Sequence, residues 1–205
     1  TVKHKLSTIL LCACCLLSCN TTKFVPQGQL LLNDVKVKVE DNKNIPPSDL
    51  MKYVQQKPNT EILGFWKLQL DIYNTASLDT AKWTSKNARK IGEAPVIFSA
   101  DLADATCTQL TKAMNNKGYF RAQVDTTMVQ DKRKVNLVYN ITANQPYTIR
   151  KYSVDFPHEH LQRIATNHRQ IEIQEGMQFD ADLLNQERQR VASAMRRDGY
   201  FYFDA

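Results

Sequence analysis

Cysteine is scarce in the body of this chain. Of five cysteines in 205 residues, Cys12, Cys14, Cys15 and Cys19 fall within the first 19 positions, which leaves Cys107. No intrachain disulfide can form beyond that leader, so stability must come from core packing. Cys107 reads as a small, semi-buried helical residue rather than a reactive thiol. Catalytic signatures are missing as well: there is no His-Glu-x-x-His, no Gly-x-Ser-x-Gly and no phosphate loop. His158, Glu159, His160 and His168 are the one cluster to weigh for a metal, and no cysteine lies near them. Neither an enzyme nor a cofactor is expected. Charge of one sign is also lacking. The net charge of +6 drops to +4 once Lys3 and Lys5 of the leader are set aside, too mild and dispersed for a nucleic-acid footprint. Arg188, Arg190, Arg196 and Arg197 lie along one predicted helix and read as a solvated face, with anionic lipid as the alternative contact.

Leu6 to Leu17 is almost wholly apolar and follows the basic Lys3-His4-Lys5. It is too short for a stable bilayer span but right for a signal-peptide core. It ends in Leu16-Leu17-Ser18-Cys19, which resembles a bacterial lipobox. The resemblance implies cleavage after residue 18 and lipid attachment at Cys19; several acyl chains on one cysteine would anchor durably. Asn20 follows, rather than the aspartate that typically retains such proteins in the inner membrane. The expected location is therefore the outer membrane, with the chain facing the periplasm.

What the sequence does hold is a repeat with a period of 81. Phe98, Ala100, Asp101, Leu102, Ala113, Met114, Gly118, Tyr119 and Phe120 recur as Phe179, Ala181, Asp182, Leu183, Ala194, Met195, Gly199, Tyr200 and Phe201. A fixed period signals tandem copies of one structural unit. In each copy a helix is expected, capped by Ser99 or Asp180. Asp101 or Asp182 suits the first-turn dipole, and Gly118 or Gly199 stops the helix in a left-handed conformation. Ala103, Cys107, Leu110 and Met114 form one helix face; its counterpart carries Arg188 and so places that position at the edge. Gly-Tyr-Phe then reads as a helix stop followed by two core-packing rings. Phe120, Ala122 and Val124 alternate as a strand with one buried face, running to about Val129.

Residues 1–18 form the signal, and 19–29 the modified cysteine and a tether. A first domain spans 30–145 and a second, incomplete one 146–205. In the first, Val35, Val37 and Val39 alternate as a strand. Pro46-Pro47-Ser48-Asp49 opens a helix over Leu50 to Gln56, which Pro58 ends. Residues 61–95 have no equivalent in the second copy and read as an insertion, with Trp66 and Trp83 in its core. Val135 to Ile141 is a further strand after an Asp131-Lys132-Arg133 turn. The second domain opens with a strand over Tyr147 to Phe156, a helix from His158 to Asn167, and Ile171-Glu172-Ile173 before the repeated helix. The counterpart of Lys134 to Ile141 does not occur before Ala205, so the natural protein is expected to continue.

This order of strand, helix, helix, strand, strand with Gly-Tyr-Phe entering the second strand resembles the POTRA domain of Omp85-type outer-membrane proteins, the BamA and TamA superfamily. The Gln56-Lys57-Pro58-Asn59 to Ile62-Leu63-Gly64 segment, Ile72-Tyr73-Asn74 and Ile91-Gly92-Glu93-Ala94-Pro95-Val96 resemble its TamL lipoproteins from Bacteroidota. The resemblance implies an α+β fold of tandem units, each a small mixed three-stranded sheet with two helices on one face. It implies a carboxy-terminal barrel that these residues do not contain. It also implies that unfolded outer-membrane proteins, or a TamB-like or assembly-machine partner, pair with the sheet edge after Gly-Tyr-Phe. Phe120, Ala122, Gln123, Val124, Asp125 and Thr126 would form that edge. The rival expectation is a purely structural adaptor that docks a TamB-like partner through charges or the insertion.

Overall fold

The computed structural model describes residues 21–77, 79, 81–166 and 173–204. The leader, the lipobox with Cys19, His168 and Ile171-Glu172 lie outside them. The fold is α+β with a mixed three-stranded sheet in the order β1-β3-β2, made of β1 (Leu31–Val39), β2 (Gln123–Asp131) and β3 (Lys134–Thr142). β1 runs parallel to β3: the Leu31 N–H donates to Arg133 O at 2.8 Å and the Glu40 N–H to Ile141 O at 3.0 Å. β2 and β3 are joined by two residues, Lys132 and Arg133, and so pair antiparallel. Lys132 takes the positive φ of 52° that so tight a connection demands.

The chain divides into two compact units. One holds the described residues up to Lys36 with Val54–Ala105 and Thr126–Tyr139; the other holds Val37–Tyr53, Thr106–Asp125 and the residues from Asn140 onward. In β1, Val35 and Val37 are buried while Lys36 and Lys38 are exposed, as the alternation predicts. β3 buries Val135, Leu137, Tyr139 and Ile141, every second residue. β2 departs from expectation. It begins at Gln123 rather than Phe120, and none of Phe120, Ala122 and Val124 is buried. Among the described residues no side chain of this strand is buried, so its alternation fills no core side.

The first unit contains the insertion. Ahead of it, in the other unit, Pro47–Leu50 forms α1 and Met51–Tyr53 a single 3₁₀ turn, so this helix starts earlier and ends sooner than expected. Pro46 and Pro47 set φ for the helix start. Gln56 is then free of the helix, and its amide accepts from the Ser99 N–H at 3.1 Å while donating to Ile97 O. Asn59 does the same to Val96 N–H (3.0 Å) and Ala94 O (2.8 Å), and Glu93 accepts from the Thr60 N–H at 2.9 Å. Two side-chain amides thus hold the extended 94–99 segment as a neighbouring strand would. The insertion itself is a turn at Ile62–Trp66 followed by α2 (Leu68–Thr75) and α3 (Trp83–Ile91), packed together. Gly92 must be glycine here, since a Cβ would lie 2.5 Å from Tyr73 N. Leu70 is fully buried with Val25 and Leu31, so residues 21–29, read as a tether, are held down. Lys23 Nζ donates to Asn74 O and Ala76 O (3.0 and 2.6 Å), and Arg133 donates to the carbonyls of Thr22, Val25 and Pro26. Trp83 is 75% exposed and Trp66 is also exposed, which corrects the core role expected for both.

Among the described residues the repeat forms the two longest helices. α4 (Ala100–Asn116) and α6 (Ala181–Arg197) are both 17 residues long and offset by the same 81 positions. Asp180 caps α6 by accepting from the N–H groups of Asp182 and Leu183. Val191 and Met195 pack with Ala165 of α5 (Glu159–Ala165), while Arg188 is exposed at the edge of that face. Residues 147–156 form no ladder beyond one bridge between Thr148 and Gln178. Tyr152, Val154 and Phe156 are nonetheless half-buried, with Lys151, Ser153 and Asp155 exposed, so the alternation is present without the strand.

Candidate partner-binding edge and the repeat junction

β2 is an edge strand by the sheet order, and eight of its nine residues are exposed, Val124 alone being half-buried. Gln123, Asp125, Thr126 and Thr127 keep it polar, while Met128 and Val129 are exposed apolar residues. An edge strand displays every second N–H and C=O outward, and polar side chains restrain it from open-ended association. Four of the six residues expected at the edge, Gln123, Val124, Asp125 and Thr126, lie in β2. Phe120 and Ala122 precede it in a turn.

Phe120 belongs to a different constellation. Its ring meets Tyr147 edge-on at 5.3 Å and Phe179 at 5.1 Å, and Arg121 lies over the Tyr147 ring at 5.9 Å. α4 ends in a Schellman motif: the Tyr119 N–H donates to Met114 O (3.0 Å) and the Gly118 N–H to Asn115 O (2.9 Å). Gly118 has φ +86°, and its carbonyl accepts from the Tyr147 N–H at 2.9 Å. Tyr119 is buried, its hydroxyl accepting from Asn42 at 3.1 Å. Of the two rings expected in the core, only Tyr119 is there.

Lys117 completes this junction, with Nζ 2.9 Å from Asp180 and 3.0 Å from Asp182. Its hydrogen bonds to Asp180 and then Asp182 raise the ammonium above its ordinary pKa. Burial pushes the Asp180 carboxyl up, but Lys117 and the two backbone N–H groups together hold it below its usual range. Asn144, fixed by the Asp41 carboxylate accepting its N–H at 2.7 Å, donates to Arg121 O at 2.9 Å. The chain is thereby aimed into β2. Tyr147, Lys117 and Arg121 carried no pattern in the sequence. Phe179 was visible only as a repeat mate of Phe98.

The other titratable cluster joins α6 to the extended 147–156 segment. Glu187 and Arg190 pair at 2.7 Å with side chains 6% and 13% exposed, Tyr152 donates to Glu187 at 3.0 Å, and Arg190 donates to Ala165 O. Arg190 therefore leaves the solvated face expected of it. The Arg190 guanidinium, ahead of the opposing effect of burial, holds Glu187 low, and burial first and Glu187 second push Tyr152 up to about 12. His160 pairs with Asp198 at 2.7 Å. Among the described residues no group of three or more histidines, cysteines or carboxylates could hold a metal.

No curated protein matches the chain. A crystal structure of Haemophilus influenzae BamA POTRA domains 3–5 aligns over 87% of this chain and 90% of its own, at 12% identity and a TM-score of 0.28. The POTRA family model, described as "Surface antigen variable number repeat", matches residues 35–144, which is 110 of the 205 residues. With residues 35–39 of β1 and the whole of α4, the glycine stop, β2 and β3 inside that span, the chain belongs to the POTRA family.

Proposed function

We propose that this POTRA chain is the periplasmic part of an outer-membrane lipoprotein, anchored through Cys19, that takes part in outer-membrane protein assembly. It binds an unfolded client, or a TamB-like or assembly-machine partner, by pairing an extended segment with β2. The observation that supports this reading is the position of β2, outermost in the sheet with exposed side chains on both faces. Such pairing gives affinity through the main chain with little demand on client sequence, which suits a module that must accept many clients. The finer assignment to the TamL lipoproteins is supported by segments 56–64, 72–74 and 91–96.

Val124→Pro and Asp125→Pro test it together. Successive N–H groups of a strand alternate, so one of the two substitutions removes a bond to β3 and the other removes only an outward donor. Both variants should lose most crosslinking to clients in the full-length protein. The outward one should keep the wild-type melting temperature. Undiminished crosslinking in the variant that folds normally would refute edge pairing.

A further inference from the structure

We propose that the tip of the Ile62–Trp66 hairpin seats in the lipid leaflet that receives the acyl chains of Cys19. The inference rests on the lipid-anchor reading above. The hairpin is closed by the Ile62 N–H donating to Trp66 O at 2.8 Å and the Trp66 N–H donating to Ile62 O at 3.1 Å. Leu63 and Gly64 turn it with φ of 57° and 76°. Turns with two positive φ values normally draw asparagine, aspartate or glycine, and a leucine there is held in a sparsely populated conformation. The strain places an apolar side chain at the outermost point. Leu63 is 80% and Phe65 77% exposed, and Ile62 and Trp66 beside them are exposed too. Four consecutive large apolar side chains, interrupted only by glycine, thus face outward. The tip is preformed, because the Trp66 indole N–H donates to Asp71 at 3.1 Å in the first turn of α2.

Its position decides what it meets. Thr21, Phe65 and Trp66 line one concavity of about 220 Å³. Thr21 follows Cys19 by two residues, and two residues reach at most about 7 Å however the chain runs. Acyl chains on Cys19 must enter the bilayer, so the bilayer surface comes within that same reach of Thr21, and hence beside the tip. An apolar loop with a tryptophan whose polar edge is already satisfied suits the headgroup boundary. Since several acyl chains already suffice for binding, the tip's effect is orientation: it fixes which side of the first unit faces the lipid.

The test uses the acylated full-length chain in which Trp83 and every other tryptophan except Trp66 are replaced by phenylalanine, reconstituted in phosphatidylethanolamine–phosphatidylglycerol vesicles. Fatty-acid labelling of Cys19 is measured in parallel. Trp66 emission should be quenched by brominated acyl chains and protected from aqueous acrylamide. Leu63→Ser with Phe65→Ser should cut the brominated-lipid quenching at least about threefold. Because both side chains already face solvent, the melting temperature should not move. An acylated chain whose Trp66 stays open to acrylamide overturns the proposal, keeps the anchor, and points the tip toward a protein partner. An unlabelled Cys19 with Trp66 still quenched by lipid defeats the anchor reading yet supports the tip. Absence of both labelling and quenching overturns both.

Discussion

Gly118 and Gly199 occupy the same place in the repeat, and both adopt positive φ, +86° and +101°. Their surroundings differ. A Cβ on Gly118 would lie 2.8 Å from Phe179 O and 3.2 Å from Tyr147 O, whereas one on Gly199 meets nothing within 4 Å. Gly199→Ala therefore costs only the backbone strain, about 1–2 kcal/mol. Gly118→Ala adds a clash with backbone that cannot rotate away and severs the approach that lets Tyr147 reach its carbonyl. We expect a total of about 3–4 kcal/mol for that variant, at the upper end of single-site effects. Urea denaturation of the two variants side by side reads the difference. Equal losses would mean that the junction around Phe120, Tyr147 and Phe179 contributes nothing. Glycine's role as a helix stop was legible from the sequence because capping is local. The second role was not, since it depends on residues 29 and 61 positions away.

Among elements, helices were the most legible. α4 and α6 carry their caps, stripes and stops within 20 residues, and the structure places both with identical length and offset. Strands were less so, because alternation reports two faces and not what covers them. β2 alternates weakly, with exposed side chains on both faces; residues 152–156 alternate well but join no ladder, their Val154 carbonyl and Phe156 N–H being taken by the Gln162 side chain. The sequence also hid the ion pair that ties α6 to that segment, because Arg190 read as part of a solvated face and Glu187 carried no pattern. Glu187→Gln would leave the Arg190 guanidinium buried without its counter-charge, at a cost of about 3 kcal/mol at neutral pH. The pH dependence follows from the direction of the shift. Glu187 is held below its ordinary pKa when folded, so its contribution is complete above the unfolded value and disappears as pH falls through the folded one. Wild type and variant should differ at pH 7 and converge in strong acid. A gap that persists in acid would assign the effect to lost packing rather than to charge.

On the scale of the molecule, the question is whether residues 61–95 are an ornament on a POTRA unit or part of its frame. Their absence from the second copy suggested an ornament. The contacts argue otherwise: Leu70 completes the core that holds Val25 and Leu31, and Asn74 and Ala76 supply the carbonyls that fix Lys23. Gln56 and Asn59 brace the 94–99 segment where the chain leaves the insertion. The three segments that carried the family resemblance are therefore one packed assembly, which explains residues such as Gly92 without any ligand. Leu70→Ala should then cost about 3 kcal/mol, since a fully buried leucine is lost from a site walled by other elements. It should also release residues 21–29, so that trypsin cleaves after Lys23 faster in folded variant than in folded wild type. An insertion that merely decorates the unit would show neither change. Loss of stability without faster cleavage would place Leu70 in the core of the α2–α3 pair alone and leave the amino-terminal segment held by Arg133.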